Sequence, residues 1–429
     1  EQAVAERLSD AIEYETISTN DPMEFEPGPY VGFIEYIREV FPLTHAVLNQ
    51  SLINNYSLLY RWEGSDPDLD PVLLLGHYDV VPVEPGSESQ WTYLPFGGRV
   101  DDGFIWGRGT LDNKSGVLGI LEAAEKLLNE GYTPQRTLYF AFGHDEEVGG
   151  ARGAEMIAEQ LQNEGIRFEY ILDEGGMVTQ GMVPGLDEPV ALIGTAEKGY
   201  VSLELTVQGQ GGHSSMPPPW TAAGRLSKAI TALEDSKFPP NMTYAKDLLR
   251  IVGPYMPFSE KMAIANLWLF APVVQSVYSR EPQLNAAIRT TTAPTMLSGS
   301  IQDNVLPKQA TGVVNFRILP GQTIVGVTER VRTVIDDPRV QVQPLEGGTN
   351  PSPPSNPDSE SFQLIEQTIR QTRPESNLIV SPYLVLGATD SRHYRNLSEN
   401  IYRYLNYKLT PGDLDRMHGD NERISVDEY

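Results

Sequence analysis

Between Pro71 and about Gly176, short apolar runs alternate with helical patterns, and this alternation limits what the chain can fold into more than any other feature. The runs span 71–75, 137–142 and 168–172. Between the first two, Val117, Ile120, Leu121, Ala124, Leu127 and Leu128 recur on one stripe of a helix over about 114–130, which Gly131 stops. Short strands joined through helices do not pair as hairpins; they build a mainly parallel sheet flanked by helices. Ligands of such sheets bind just beyond the carboxyl ends of the strands, so residues far apart in sequence can meet there.

Near Gly199 the pattern changes to strict alternation, with Val201, Leu203, Leu205 and Val207 facing one way, as in a strand covered on one side only. A helix over about 221–233 follows, then a strand over 309–319, a helix over 325–335 and a strand over 340–342. Two strand-helix units of this kind make a small antiparallel sheet carrying two helices on one face. At 429 residues the chain can hold two or three domains. The expected division is a first part of a catalytic domain at 1–197, an inserted domain at 198–345 and the second part of the catalytic domain at 346–429. Residues 238–289, rich in Pro, Met and aromatics such as Phe238, Tyr255, Phe258 and Trp268, read as an insertion inside the inserted domain. After a proline-rich connection at 347–357, a helix over 361–371 and a strand over 378–386 return to the first domain. The expected fold class is α/β, a mixed and mainly parallel sheet flanked by helices, with an inserted α+β domain.

Asp plus Glu number 58 against 32 Lys plus Arg, a formal charge of -26 that repels nucleic acid and anionic membrane surfaces. Nucleic acid and membrane surfaces are therefore set aside as partners, and no apolar stretch approaches the roughly 20 residues of a membrane helix. Without cysteine there is no disulfide, no thiolate metal site and no cysteine nucleophile, so any metal must be held by imidazole and carboxylate. Residues 1–12 read as an amphipathic helix and not a signal peptide, and a chain starting at Glu1 is read as N-terminally trimmed. Its compartment stays open, secreted or lumenal among the choices.

His77 and Asp79 follow the first apolar run in Gly76-His77-Tyr78-Asp79, and side chains two apart in extended chain point the same way. Further ligand-type residues recur at later run ends and turns: Asp112, Glu146 with Glu147, Asp173 and finally His418. Taken singly, each has an ordinary explanation. An Asp before a helix is usually an N-cap, a Glu-Glu pair a solvated loop, and a His near a C-terminus an exposed side chain. Together they form the set a two-metal hydrolase needs, with one carboxylate bridging two ions and another free to move protons. Asp112, in the Gly-rich turn Gly107-Arg108-Gly109-Thr110-Leu111-Asp112-Asn113-Lys114, suits the bridge. Of the adjacent pair Glu146-Glu147, one can ligate while its neighbour acts as a base.

This ordered set resembles the co-catalytic dizinc amidohydrolases of the aminoacylase and carboxypeptidase family, in its carboxypeptidase S and N-fatty-acyl-amino-acid hydrolase-synthase branch. The blocks 76–82, 107–114, 141–150 and 387–394 carry the likeness, in order, over nearly the whole chain. The resemblance implies one zinc on His77, Asp112 and Asp173 and a second on Asp112, Glu147 and His418, with cobalt or manganese as alternatives. It makes Glu146 the general base and has Asp79 hydrogen-bond His77, fixing its tautomer. It also implies a cis peptide between Asp112 and Asn113, and a lid for the inserted domain. In the lid, His213 of Gly211-Gly212-His213-Ser214 would stabilise the oxyanion, Asn304 would hold the substrate carbonyl and Arg317 its free carboxylate. Gly387 would add backbone contacts to the substrate.

On this resemblance the reaction is hydrolysis of the amide between an acyl or peptidyl group and an amino acid with a free carboxylate. N-acyl amino acids, with long fatty-acyl chains and a reversible reaction included, compete with small peptides cleaved as by a carboxypeptidase or dipeptidase. The apolar insertion at 238–289 either lines an acyl groove or fills a core. A metal-bearing but inactive binding protein is the reading from another class, and the presence of every ligand and the base argues against it. Family members work as monomers or pair through the lid and supply His213 in trans, and both states stay open here.

Overall fold

The apolar runs become the strands Val72–His77, Leu138–Gly143 and Tyr170–Asp173, parallel neighbours with Val72–His77 in the middle. The computed structural model describes residues 2–183, 185–373, 375 and 377–429. Ile401–Arg403 joins the sheet parallel to Tyr170–Asp173. On the other side, Ser57–Trp62 and Asn49–Ile53 complete the edge as an antiparallel hairpin. Beyond Ile401–Arg403 lie Val190–Glu197, Val178–Thr179 and Lys408–Leu409, and Ile379–Val385 also pairs with Val190–Glu197.

Both faces of this sheet are covered, which is why its inner strands read as nearly continuous apolar runs. Leu73 and Leu75 turn to a layer built by the helix Ala154–Asn163 through Ile157, Ala158 and Leu161. Leu74 turns the other way, where Lys114–Asn129 packs with Gln2–Ile12 and Pro27–Val40 over Leu58, Tyr60, Phe140 and Phe142. Val117, Leu118, Leu121 and Ala124 form the buried stripe of Lys114–Asn129. Burying each of the larger ones stabilises the layer by roughly 1.5–3 kcal/mol. A third helix, Glu360–Thr372, seals Val178, Ala191 and Tyr402 with Phe362, Ile365 and Ile369.

A separate three-stranded sheet, ordered Arg423–Ser425, Phe104–Trp106 and Arg99–Asp101, has functional weight. Its antiparallel pairing brings the C-terminal segment to the start of the Gly-rich turn at 107–112.

The chain divides into two compact units, the first ending at Thr195 and resuming over Ser355–Pro382 and Thr389–Tyr429, the second comprising Ala196–Pro354 and Tyr383–Ala388. The expected cuts lie at 197/198 and 345/346, and the crossings between the units lie after Thr195 and after Pro354. The strand expected at 378–386 was assigned wholly to the first unit, yet Tyr383–Ala388 belongs to the second. There the backbone N–H of Lys198 donates to Val385 O at 3.2 Å.

Within the second unit an antiparallel sheet runs Thr291–Ser298, Gln309–Ile318, Gly199–Gln208, Val340–Pro344. Val201, Leu203, Leu205 and Val207 point into one core with the helices Ala222–Asp235 and Ile324–Ile335, as the alternation requires. Thr221 and Thr323 cap those helices, accepting from the backbone of Gly224 and Gly326. The insertion is helical: Thr243–Val252, Phe258–Ala265, Leu267–Tyr278 and Pro282–Ile288, gathered on Met242, Ala245, Leu249 and Ile288. Leu267–Tyr278 has no fully buried residue and leaves Trp268, Leu269, Val273 and Val277 exposed. Among the described residues no helix is long and apolar enough to cross a membrane.

Candidate metal centre

Three parallel strands end side by side and deliver the site of the first unit. His77 is the last residue of its strand, in register with Gly143. The chain after Gly143 turns through Glu146–Val148, and the chain after Asp173 opens at Glu174. The fourth contributor is the turn before Lys114–Asn129. Asn113, not Asp112, occupies the N-cap position and makes no capping bond, so the ordinary capping explanation of Asp112 is excluded. The Asp112–Asn113 peptide is cis, as the resemblance implied. Gly109 has φ +93, and a Cβ there would meet Val80 Cγ1 at 2.8 Å, so the turn needs glycine on both counts.

The carboxylate of Asp112 stands between two imidazoles. Its Oδ1 lies 3.0 Å from Nε2 of His77 and its Oδ2 2.9 Å from Nε2 of His418. Each of those nitrogens faces a second carboxylate as well: Glu174 Oε1 at 3.1 Å from His77 and Glu147 Oε1 at 3.2 Å from His418. One ring N–H cannot serve two carboxylates at once, and Glu147 Oε1 is buried without a hydrogen bond. A cation among the donors satisfies all of them. His77, Asp112 and Glu174 form one group whose ligand atoms lie within 4.8 Å of one another, and Asp112, Glu147 and His418 form another. Histidine nitrogens and carboxylate oxygens in these numbers suit zinc and tolerate cobalt or manganese.

Asp173, the expected ligand, is in neither group, and its neighbour Glu174 stands beside His77 and Asp112. Its Oδ1 accepts from the Glu174 N–H at 2.9 Å and its Oδ2 from the Ser391 N–H at 2.7 Å, so it ties the strand end to the loop at 389–391. Successive side chains leave an extended chain on opposite sides, so only one of Asp173 and Glu174 can reach His77. The sequence contained both, and only the register of the strand end decides between them.

Asp79 is fully buried and does more than hold one ring. Its Oδ1 is 3.3 Å from Nδ1 of His77, whose Nδ1 is also 3.1 Å from Asp79 O. The same carboxylate accepts from the backbone of Glu146 through Oδ1 and of Glu147 through Oδ2, both at 3.1 Å. With the Nδ1 proton directed at Asp79, Nε2 of His77 presents its lone pair to the cluster. The neighbours His144 and Asp145 are structural. His144 Nδ1 meets Ser57 Oγ at 2.6 Å, and Asp145 Oδ2 accepts from Arg152 N at 2.7 Å. Of the four ionisable residues, Glu147 is the one that belongs to a candidate ligand group.

The crowded carboxylates explain the electrostatics. Burial, reinforced by Asp112 and Asp173 and opposed by His77, pushes the Glu174 carboxyl up to about 8. Burial likewise holds Glu146 well above the carboxylate range, with Asp390, Glu174 and Glu147 adding to it. Asp390 is itself buried, and neither of its oxygens has a hydrogen-bond partner among the described residues. Burial disfavours a charged His77, but Glu174, Asp112 and Asp79 outweigh it and hold the ring well above its usual value. The bond to Asp112 and the nearby Glu147 carboxylate raise His418 to about 10. Protons on these groups compensate a charge that cations compensate equally well.

Four expected site residues lie in the second unit. His213 sits on the short strand Gly212–His213, paired with Val305–Leu306, and Ser214 N donates to Asn304 O at 3.0 Å, so His213 and Asn304 share one loop cluster. His213 Nδ1 accepts from Ser215 N at 3.2 Å, which leaves Nε2 as the protonated nitrogen of a neutral ring. Arg317 lies on Gln309–Ile318 with its guanidinium 4.9 Å from the Tyr200 ring centre. Gly387 is exposed, with open space where a Cβ would stand.

Residues 73–429 match the model of peptidase family M20/M25/M40. A probable carboxypeptidase S-like 2 of Dictyostelium discoideum is 41% identical, over 99% of this chain and 82% of its own length. The N-fatty-acyl-amino acid synthase/hydrolase PM20D1 of Mus musculus is 40% identical, over 100% of this chain and 85% of its own. The crystal structure of the M20 family metallo-carboxypeptidase Sso-CP2 of Sulfolobus solfataricus superposes with a TM-score of 0.73, covering 99% of this chain and 96% of that one. At 18% identity that last likeness is one of fold.

Proposed function

The chain belongs to peptidase family M20/M25/M40, and from that premise we propose that it is a dizinc amidohydrolase of N-acyl amino acids. The single observation that carries the reading is the position of Asp112, which offers one carboxylate oxygen to each of two His-carboxylate groups. His77, Asp112 and Glu174 would hold one ion and Asp112, Glu147 and His418 the other. When bound, the ions polarise the scissile carbonyl and make water easier to deprotonate.

The chain's own residues supply the rest. Glu146 belongs to neither ligand group, so its carboxylate is free to take the proton of the attacking water and return it to the leaving amine. Asp79 fixes both the tautomer of His77 and the backbone that carries Glu146. To His213 we assign donation of an Nε2 proton to the developing oxyanion, consistent with the tautomer set by Ser215. Asn304 is assigned to the substrate carbonyl, and Gly387 to backbone contacts with the substrate. Arg317 is assigned to the free carboxylate, whose geometry its planar fork matches.

Two observations favour an acyl over a peptidyl group on the amine. Relatives named as N-fatty-acyl-amino acid synthase/hydrolases align with the whole chain at about 40% identity. The insertion also exposes Phe258, Trp268 and Leu269, an apolar surface of the kind that accepts alkyl chains. Small-peptide cleavage is the second reading, since another relative of similar identity is named carboxypeptidase S-like. Turnover of a long-chain N-acyl-phenylalanine against a dipeptide separates them: the acyl substrate should win, and cleavage of the dipeptide alone rejects the acyl assignment. For the mechanism, Glu146→Gln should keep both metals and lose roughly 100- to 10,000-fold in kcat. Near-normal turnover in that variant rejects Glu146 as the base.

A further inference from the structure

Arg108 and Glu422 lie outside both ligand groups, yet they are buried, at 2% and 0% exposure, directly behind the residues that form the second one. Glu422 Oε1 accepts from three backbone donors of the Asp112 turn: Gly109 N at 3.0 Å, Leu111 N at 2.8 Å and Asp112 N at 3.3 Å. Its Oε2 takes Nη1 of Arg108 at 2.6 Å, and its backbone carbonyl takes Gly107 N at 2.9 Å. From the same guanidinium, Nη2 donates to His418 O at 3.2 Å and Gly419 O at 3.1 Å. The two side chains thus connect the turn bearing Asp112 to the loop bearing His418, more than 300 positions away in the chain.

That loop carries two residues in left-handed backbone. His418 has φ 61 and Asn421 φ 59, left-handed conformations that cost a non-glycine residue roughly 1–2 kcal/mol. Half of the His418 side chain is exposed, so packing does not fix it. A buried ion pair is a poor source of stability, because desolvation offsets its attraction. What it provides here is direction, since a carboxylate and a planar fork meet five backbone groups of two separate segments at set angles.

We infer that Arg108 and Glu422 are positioning residues that set the spacing between His418 and Asp112 and thereby the affinity of the Asp112, Glu147 and His418 group for its metal. The inference rests on reading that group as a metal site. Neither residue touches substrate or ion, and their effect passes through the backbone of the residues that do.

The test uses the whole enzyme stripped of metal and titrated with Zn2+ against a competing chelator, with Co2+ absorption as a second readout. Glu422→Gln and Arg108→Lys, which keep shape but lose the charge or the fork, should weaken one of the two equivalents by about 10- to 100-fold, leave the other unchanged and alter the Co2+ spectrum. Combining the two should cost no more than the worse single change, because both break one device. Arg7→Met is the control for mere destabilisation: it breaks a distant pair with Glu122 in the same unit and should lower Tm without moving either affinity. If both clamp variants bind two equivalents as tightly as the parent while His418→Ala loses one, the clamp is overturned and the metal site stands. If His418→Ala also leaves both equivalents untouched, the ligand assignment itself has failed. Should one clamp variant not fold, the other carries the test alone, and two unfolded variants with normal metal binding in refolded fractions overturn it.

Discussion

Glu174 and Asp173 pose the sharpest question at the scale of single residues, because they are adjacent, both acidic and both buried or nearly so. The geometry assigns the cluster to Glu174 and the loop at 389–391 to Asp173. Glu174→Ala should therefore remove one metal equivalent, measured by elemental analysis. Asp173→Asn should keep both equivalents while lowering Tm, since a neutral oxygen still accepts from Ser391. The reverse pattern would restore the expectation drawn from sequence. The pH dependence of binding has a definite sign. In the metal-free protein Glu174 is raised to about 8 and His418 to about 10, so near pH 7 both carry protons that a metal must displace. Zn2+ binding should release protons into weak buffer, and affinity should climb as pH rises through about 8, as seen in calorimetry across buffers of different ionisation enthalpy. Pure pH-independent binding would show that both groups are already deprotonated.

Elements differ in how far the sequence announced them. The helix at Lys114–Asn129 and the strands around it appeared within a residue or two of their expected ends, because a 3.6-residue stripe and a short apolar run are properties of local sequence. Most of the candidate cluster was legible for the same reason, as His77, Asp112 and Glu147 stand at strand ends or just before a helix. What was not legible depends on register and long-range closure. Glu174 needed the pleat of its strand end, Arg108 and Glu422 needed the C-terminal segment brought back beside Phe104–Trp106, and Tyr383–Ala388 needed a partner near Lys198. The turn after Tyr170–Asp173 shows the physical constraint on such closures. A Cβ at Gly176 would come within 2.2 Å of Leu192 O and 2.3 Å of Arg403 O, carbonyls of two flanking strands that have no room to retreat. Gly176→Ala should cost roughly 1–3 kcal/mol in denaturant unfolding, and because it follows Glu174 it should weaken metal binding as well. A neutral effect on both would mean that the strand ends are more compliant than the packing implies.

For the molecule as a whole, the distribution of ligands between the two units carries a consequence for stability. Every member of the two candidate ligand groups belongs to the first unit, and two of its three separate chain segments contribute: Glu1–Thr195, with His77, Asp112, Glu147 and Glu174, and Thr389–Tyr429, with His418. An ion that binds only the folded arrangement of these segments stabilises it by RT ln(1 + [L]/Kd), about 2.7 kcal/mol at a hundredfold excess over Kd. The second unit has its own core, from Val201 and Phe316 to Leu226 and Val331, and contributes no ligand. Removing the metals in calorimetry should therefore lower the transition that reports the first unit, by several degrees for a unit of this size. A probe confined to the second, such as the environment of Trp220 or Trp268, should respond less. Replacement of Asp112 by Ala should reproduce the shift without any chelator, since it deletes the one carboxylate common to both groups. If chelation leaves the first transition where it was, or moves both probes together to the same extent, the metals do not hold those two segments together, and Asp112 is not the residue on which both groups depend.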